Sequence, residues 1–170
     1  MTSIGSKILV PLNRFSLGYA QALLKDIKPA DFARQPKGID TNHPAFVFGH
    51  LAIYPDRLLE MLGRADLARP DAHYVDLFAA GKPCTDDPQG KIYPEMEQIV
   101  ARFNTRYEAL NPVLAEIPNE VFEGVNPNEK HRDRFPTLGM FTAFLVGSHI
   151  MMHMGQVSAW RRCMGLPSAM

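Results

Sequence analysis

The segment TLGMFTAFLVGSHIMMHMGQVSAWRRCMG, bracketed by Pro136 and Pro167, reads as the longest helix in this chain. A rod this apolar has to be covered by other elements, yet it carries two histidines, His149 and His153, among Leu145, Val146, Ile150, Met151, Met152 and Met154. An unpartnered polar group in such surroundings is costly. At about 100° of rotation per residue the two imidazoles are offset by about 40°, so they share one face, one turn apart. That spacing can seize a metal ion. A buried histidine more often satisfies itself on a backbone carbonyl, so the metal reading needs a third ligand.

Four long segments carry helical periodicity, and no piece between them alternates apolar and polar residues over strand length, which predicts an all-α fold. The first, Lys7 to Ile27, places Leu12, Phe15, Tyr19, Ala22 and Leu23 at spacings of three and four, with Pro11 near its start. The second, Pro44 to Leu62, has Asn42 or His43 as its cap, Pro44 in its first turn and Gly63 as its stop. Phe46, Val47, His50, Ile53, Tyr54 and Arg57 share one of its faces. Pro55 removes the bond to the Leu51 carbonyl, which predicts a kink just after His50. The third helix starts near Tyr93 and Pro94, and ends before Asn111-Pro112 or at Pro118. The fourth is capped by Thr137 and stops at Gly165.

About thirty residues separate the second and third helices, with a short helix expected around Asp71 to Ala80. A second long segment, PNEVFEGVNPNEKHRDRFP, separates the third and fourth. Connections that long serve function or span a bundle end to end. A crossover that leaves helices two and three parallel fits them. The expected fold is a four-helix bundle with long connections between helices 2 and 3 and helices 3 and 4, in one domain over residues 1–170.

Eighteen basic residues balance eighteen acidic ones, leaving no broad positive footprint for nucleic acid or anionic lipid. Cys84 and Cys163 lie far apart and form no C-x-x-C unit, a usage that fits a reducing compartment. Near the N-terminus, SKILVPLNRFSLGYA is broken by Pro11, Asn13 and Arg14 before a secretory core can form. Met140 to Val157 reads as too polar and too short for a membrane span of about 20 residues. These features predict a cytoplasmic protein that engages neither nucleic acid nor membrane.

His50 can complete the histidine set. In GHLAIYPDRL it sits on an apolar helix face, with Gly49 beside it to admit a neighbouring helix. Three imidazoles from two helices suit a zinc- or nickel-type site. Catalytic zinc sites use three protein ligands and leave one position for water or substrate, whereas closed four-ligand sites are structural. Imidazole alone does not choose among Zn, Ni, Cu, Fe and Co. Gln156 lies on the line of His149 and His153, with Thr142 and Trp160, and can orient a ligating imidazole. Tyr54, one turn after His50, can bring its hydroxyl toward the metal. Both also fit as residues that merely pack. His43, His73 and His131 fall in caps or loops and read as solvated.

The run GHLAIYPDRLLEML, the ending SHIMMHMGQVSAWRRCMGLP and the loop DLFAAGKPCTDDPQGKIYP together resemble the DinB-like (YfiT-like) family of small helical-bundle metalloenzymes. The resemblance spans most of the chain, and H-x-x-x-H-x-G-Q followed by R-R-x-x-G-L-P is its most specific part. It implies a divalent metal held by one histidine of the second helix and a pair from the fourth, here His50, His149 and His153. Members with assigned activity include thiol-dependent transferases and isomerases. The resemblance thus also implies a low-molecular-weight thiol such as bacillithiol, mycothiol or glutathione. A divalent ion lowers the pKa of a coordinated thiol or water, which fits such chemistry.

The expected function is a metal-dependent enzyme of the thiol-dependent transferase or hydrolase type acting on a small molecule. A homodimer is expected, because small helical bundles pair through exposed apolar faces. The alternative is a non-catalytic metal-binding or stress-associated helical interaction protein. Met151, Met152, Met154 and Met164 would then supply an adaptable apolar surface.

Overall fold

Prolines set the joints of this molecule, which is all-helical over residues 3–169, the residues the computed structural model describes. Among them there is no strand, only a single bridge between Val125 and Thr137. Helix α1 (Val10–Leu24) continues directly from a π turn at Gly5–Leu9, and Pro11, which has no N–H to donate back into that turn, sits where the wider turn gives way to the regular helix. Helix α2 (Pro44–Leu51) buries every one of its residues. Its cap is His43, whose Nδ1 accepts from the Phe46 N–H at 3.2 Å. His43 is therefore not solvated, as the sequence suggested, but fully buried, with Nε2 on the Thr85 carbonyl at 3.0 Å.

The break at Pro55 falls where expected, at Ala52–Ile53, and the rod resumes as α3 (Tyr54–Met61). Helix α4 (Ala72–Phe78) starts on Asp71, whose carboxylate accepts from the His73 and Tyr74 N–H groups. The third rod is α5 (Met96–Glu108) and α6 (Leu110–Glu116), interrupted at Ala109 because Pro112 cannot donate to the Glu108 carbonyl. A short α7 (Asn119–Glu123) follows. The fourth rod is α8 (Leu138–Ala143), a π turn at Phe144–Ser148, and α9 (His149–Cys163). Thr137 caps it by accepting from the Met140 N–H at 3.2 Å, and Gly165 ends it at φ 75°.

Side-chain contacts fix the directions of the rods. Asn13 donates to the Tyr107 carbonyl and Gln21 to Asn104, so α1 and α5 run antiparallel. Leu12 lies against Gly147, and Arg161 donates to the Leu23 carbonyl, so α1 and the fourth rod run parallel. Asn42 reaches Gln156 while His50 meets His149, so α2 and α9 are antiparallel. The second and third rods therefore run parallel, and the connection carrying α4 is the crossover that parallel neighbours need. Continuous helix over Leu138–Cys163 is long and apolar enough to cross a membrane, longer than the Met140–Val157 stretch suggested. Half of its most apolar window is nonetheless buried inside the bundle.

Candidate metal centre

Helix α9 presents His149 and His153 one turn apart, and α2 brings His50 to the same seam. Ring centroids lie 5.6 Å apart for His50 and His149, 4.8 Å for His50 and His153, and 4.8 Å for His149 and His153. Each histidine offers one nitrogen, and the three nitrogens lie within 4.8 Å of one another. The Pro55 break comes after His50 and leaves it in the seam.

What lies behind each ring decides which nitrogen is available. His50 Nδ1 is 2.8 Å from the Phe78 carbonyl. A carbonyl only accepts, so Nδ1 carries the proton and the Nε2 lone pair is left over. Phe78 is the last residue of α4, where helix carbonyls lack helical partners. Gly49 makes this approach possible, since a Cβ there would stand 2.6 Å from the Phe78 ring. His153 Nδ1 is 3.1 Å from Gln156 Oε1, which also accepts from Asn42 Nδ2 at 3.2 Å. The Nδ1 of His149 is buried and has no hydrogen-bond partner. Two anchored imidazoles and one with an orphaned nitrogen form a donor set that fits a cation.

A family model described as the DinB superfamily matches residues 15–157. The chain belongs to the DinB superfamily. No curated protein matches it.

Electrostatics keep this DinB site in ligand form. Burial, reinforced by the neighbouring His153, pushes His50 down to about 4, against the pull of its bond to Phe78. Burial, with His153 and His50 beside it, takes His149 down to about 3. His153 is lowered by burial as well, partly offset by Gln156. All three rings are thus neutral near pH 7, the state that binds a metal. The Tyr54 ring stands 5.0 Å from His50 and 4.5 Å from His149, Phe144 lies 5.2 Å from His149, and Phe46 stacks on His50 at 6.3 Å. Burial raises the Tyr54 phenol against the nearby Arg57 charge, so it holds its proton.

The structure brings together His50, His149, His153, Gln156 and Tyr54. It separates Thr142, whose hydroxyl bonds the Leu138 carbonyl, and Trp160, whose Nε1 donates to the Arg34 carbonyl at 2.7 Å. Of the remaining histidines, His73 is exposed, and His131 is half-buried against the Phe141 ring at 5.5 Å. Two participants went unread in the sequence. Phe78 contributes a backbone carbonyl, which its identity does not advertise, and Asn42 read only as a helix cap.

Proposed function

We propose that this DinB-superfamily protein is a divalent-metal-dependent enzyme of the thiol-dependent transferase or hydrolase type. His50, His149 and His153 hold zinc or nickel, and a small molecule is the substrate. The observation that carries this reading is the convergence of one nitrogen from each of three neutral imidazoles to within 4.8 Å of one another, with His50 and His153 already anchored through their Nδ1 atoms. When bound, the metal supplies a Lewis acid that makes a thiolate or hydroxide available at neutral pH. Phe78 and Gln156 hold the ligand tautomers, while Tyr54, Phe46 and Phe144 wall the rings from water.

The thiol comes from outside the chain in this reading. Burial pushes Cys84 up to about 11, so it remains a protonated thiol. Cys163 is exposed at the far end of α9, about 15 Å along the helix from His153. A small thiol is abundant in the cytoplasm, the compartment we propose on the same ground as the two free cysteines.

Mass spectrometry of metal-replete preparations should find about one ion per wild-type chain and none in His50→Ala or His149→Ala. Metal-free wild type under those conditions ends the proposal. The loaded protein, given low-molecular-weight thiols and generic electrophiles, should turn over where the two variants do not. Stoichiometric metal without turnover above the variants reduces it to a non-catalytic metal-binding protein.

A further inference from the structure

The stretches of chain that form the histidine seam carry no charged side chain of their own apart from the histidines. The fourth rod has no Asp, Glu, Lys or Arg from Phe135 to Trp160, and α2 with its joint to α3 has none from Pro44 to Pro55. The first charges beyond that joint are Asp56 and Arg57, and they turn different ways. Asp56 is buried and already accepts from Arg106, Arg102 and the Arg69 N–H. Arg57 is exposed and continues the stripe that runs through His50 and Tyr54, at spacings of four and three.

The Arg57 guanidinium carbon stands 5.5 Å from the centre of the Tyr54 ring, which itself lies 4.5 Å from His149 and 5.0 Å from His50. A permanent cation is thus held within about 10 Å of the His149 ring, across one half-buried tyrosine. Among the described residues it forms no ion pair. Glu60 and Asp71 line the same small cavity as Arg57, yet neither comes within ion-pair distance of it, and Asp71 faces Arg102 at 3.9 Å. The Asp56 carboxylate is paired with Arg102 and Arg106.

Three neutral imidazoles offset none of the charge of a divalent ion, and Arg57 adds a further positive charge beside them. One thiolate cancels only part of that excess, and the seam offers no carboxylate to cancel the rest. We propose that the thiol taken by this site carries a carboxylate on the same molecule, which pairs with Arg57 while the sulfur lies at the three imidazoles. The planar fork of a guanidinium matches the two oxygens of a carboxylate and is already charged at every working pH. Arg57 then sets specificity by disfavouring thiols whose substituents are all neutral. The inference rests on the metal and thiol reading above and narrows its substrate class.

Calorimetric titration of the nickel-loaded full chain decides it, with mercaptoacetate, mercaptopropionate and mercaptobutyrate each set beside its neutral amide. At the best-fitting length, the ratio of acid to amide affinity should fall about fivefold in Arg57→Gln, while nickel content and amide affinity hold. Arg57→Lys, which keeps the charge and loses the fork, should lie between. Arg64→Gln, which removes a cation elsewhere on the surface, should keep the wild-type ratio. That ratio should shrink as salt rises from about 50 to 500 mM. Glutarate, which has no sulfur, should bind more weakly than mercaptobutyrate. A ratio unchanged in Arg57→Gln, or lowered as much by Arg64→Gln, overturns the inference and leaves the metal site standing. Glutarate binding as tightly as mercaptobutyrate also overturns it, because the carboxylate then belongs to the other reactant. A chain that never loads nickel or zinc ends the metal reading itself, and this inference with it.

Discussion

Two groups of buried polar side chains flank the Pro55 break, and they are completed in different ways. On the α3 side, Asp56 accepts from Arg106 Nε at 2.8 Å, from Arg102 at 3.2 Å and from the Arg69 N–H at 3.0 Å. Arg106 goes on to the Leu67 carbonyl, and Arg102 goes on to the Arg69 carbonyl and rests on the Tyr74 ring. Arg102 Nε is the one buried donor of this group without a partner. On the α2 side two of the three imidazoles, His50 and His153, are anchored from outside, and all three converge on one another with neutral nitrogens. Charge that is answered from within makes a joint between rods. Lone pairs that are answered by nothing make a site.

Removing Asp56 should have the largest effect on stability. Asp56→Ala leaves two guanidiniums without their carboxylate and should cost about 3–5 kcal/mol in urea unfolding. The metal content of the folded fraction should not change. A loss below about 1 kcal/mol would erase the contrast between the two groups. Stripping metal from the wild type tests the other side. At a free metal concentration near 100 times Kd, chelation should lower stability by about 2.7 kcal/mol and leave the helices intact.

The stripped protein should also become acid-sensitive. His50, held down to about 4, and His149, held down to about 3, stay neutral in the fold while the unfolded chain protonates near 6.5. Their contribution is fully present above about pH 6.5 and is lost as pH falls toward those folded values. Urea midpoints at neutral pH and near pH 5 should therefore separate, and His149→Gln should narrow the gap. Equal gaps in both proteins would remove the buried imidazoles as the cause.

The rods were legible because burial against one core imposes a 3.6-residue period, and the joints because proline lacks a donor. The three histidines were legible from spacing on apolar faces. Other features depend on contacts distant in sequence. His43 read as a solvated cap because nothing local shows that the strap carrying Cys84 and Thr85 folds over it. Thr142 was grouped with the histidines by a steady 100° per residue, a reckoning that fails across the π turn at Phe144–Ser148. Trp160 does lie on the histidine line, but it sits past the start of α2 and meets the Arg34 carbonyl instead.

Gly49 links the two kinds of burial. A methyl group there would press on the Phe78 ring, so Gly49→Ala should cost about 1–3 kcal/mol as overpacking. Because the Phe78 carbonyl orients His50, the same substitution should weaken metal binding, unlike Asp56→Ala. Denaturation and metal titration of one preparation report both, and unchanged affinity would mean that the carbonyl does not set the ring.

The smallest effect belongs to Gln156. Its Oε1 is shared between His153 Nδ1 and Asn42 Nδ2, so it holds the ring without touching the other two histidines. Gln156→Ala frees one of three imidazoles to rotate and should weaken metal binding about tenfold, with little change in unfolding free energy. Gln156→Glu keeps an oxygen that accepts from both neighbours and makes His153 a more basic ligand, so its affinity should match or exceed wild type. A side chain that only packs would give the opposite pattern: affinity indifferent to alanine, and stability lost when a carboxylate enters a half-buried position.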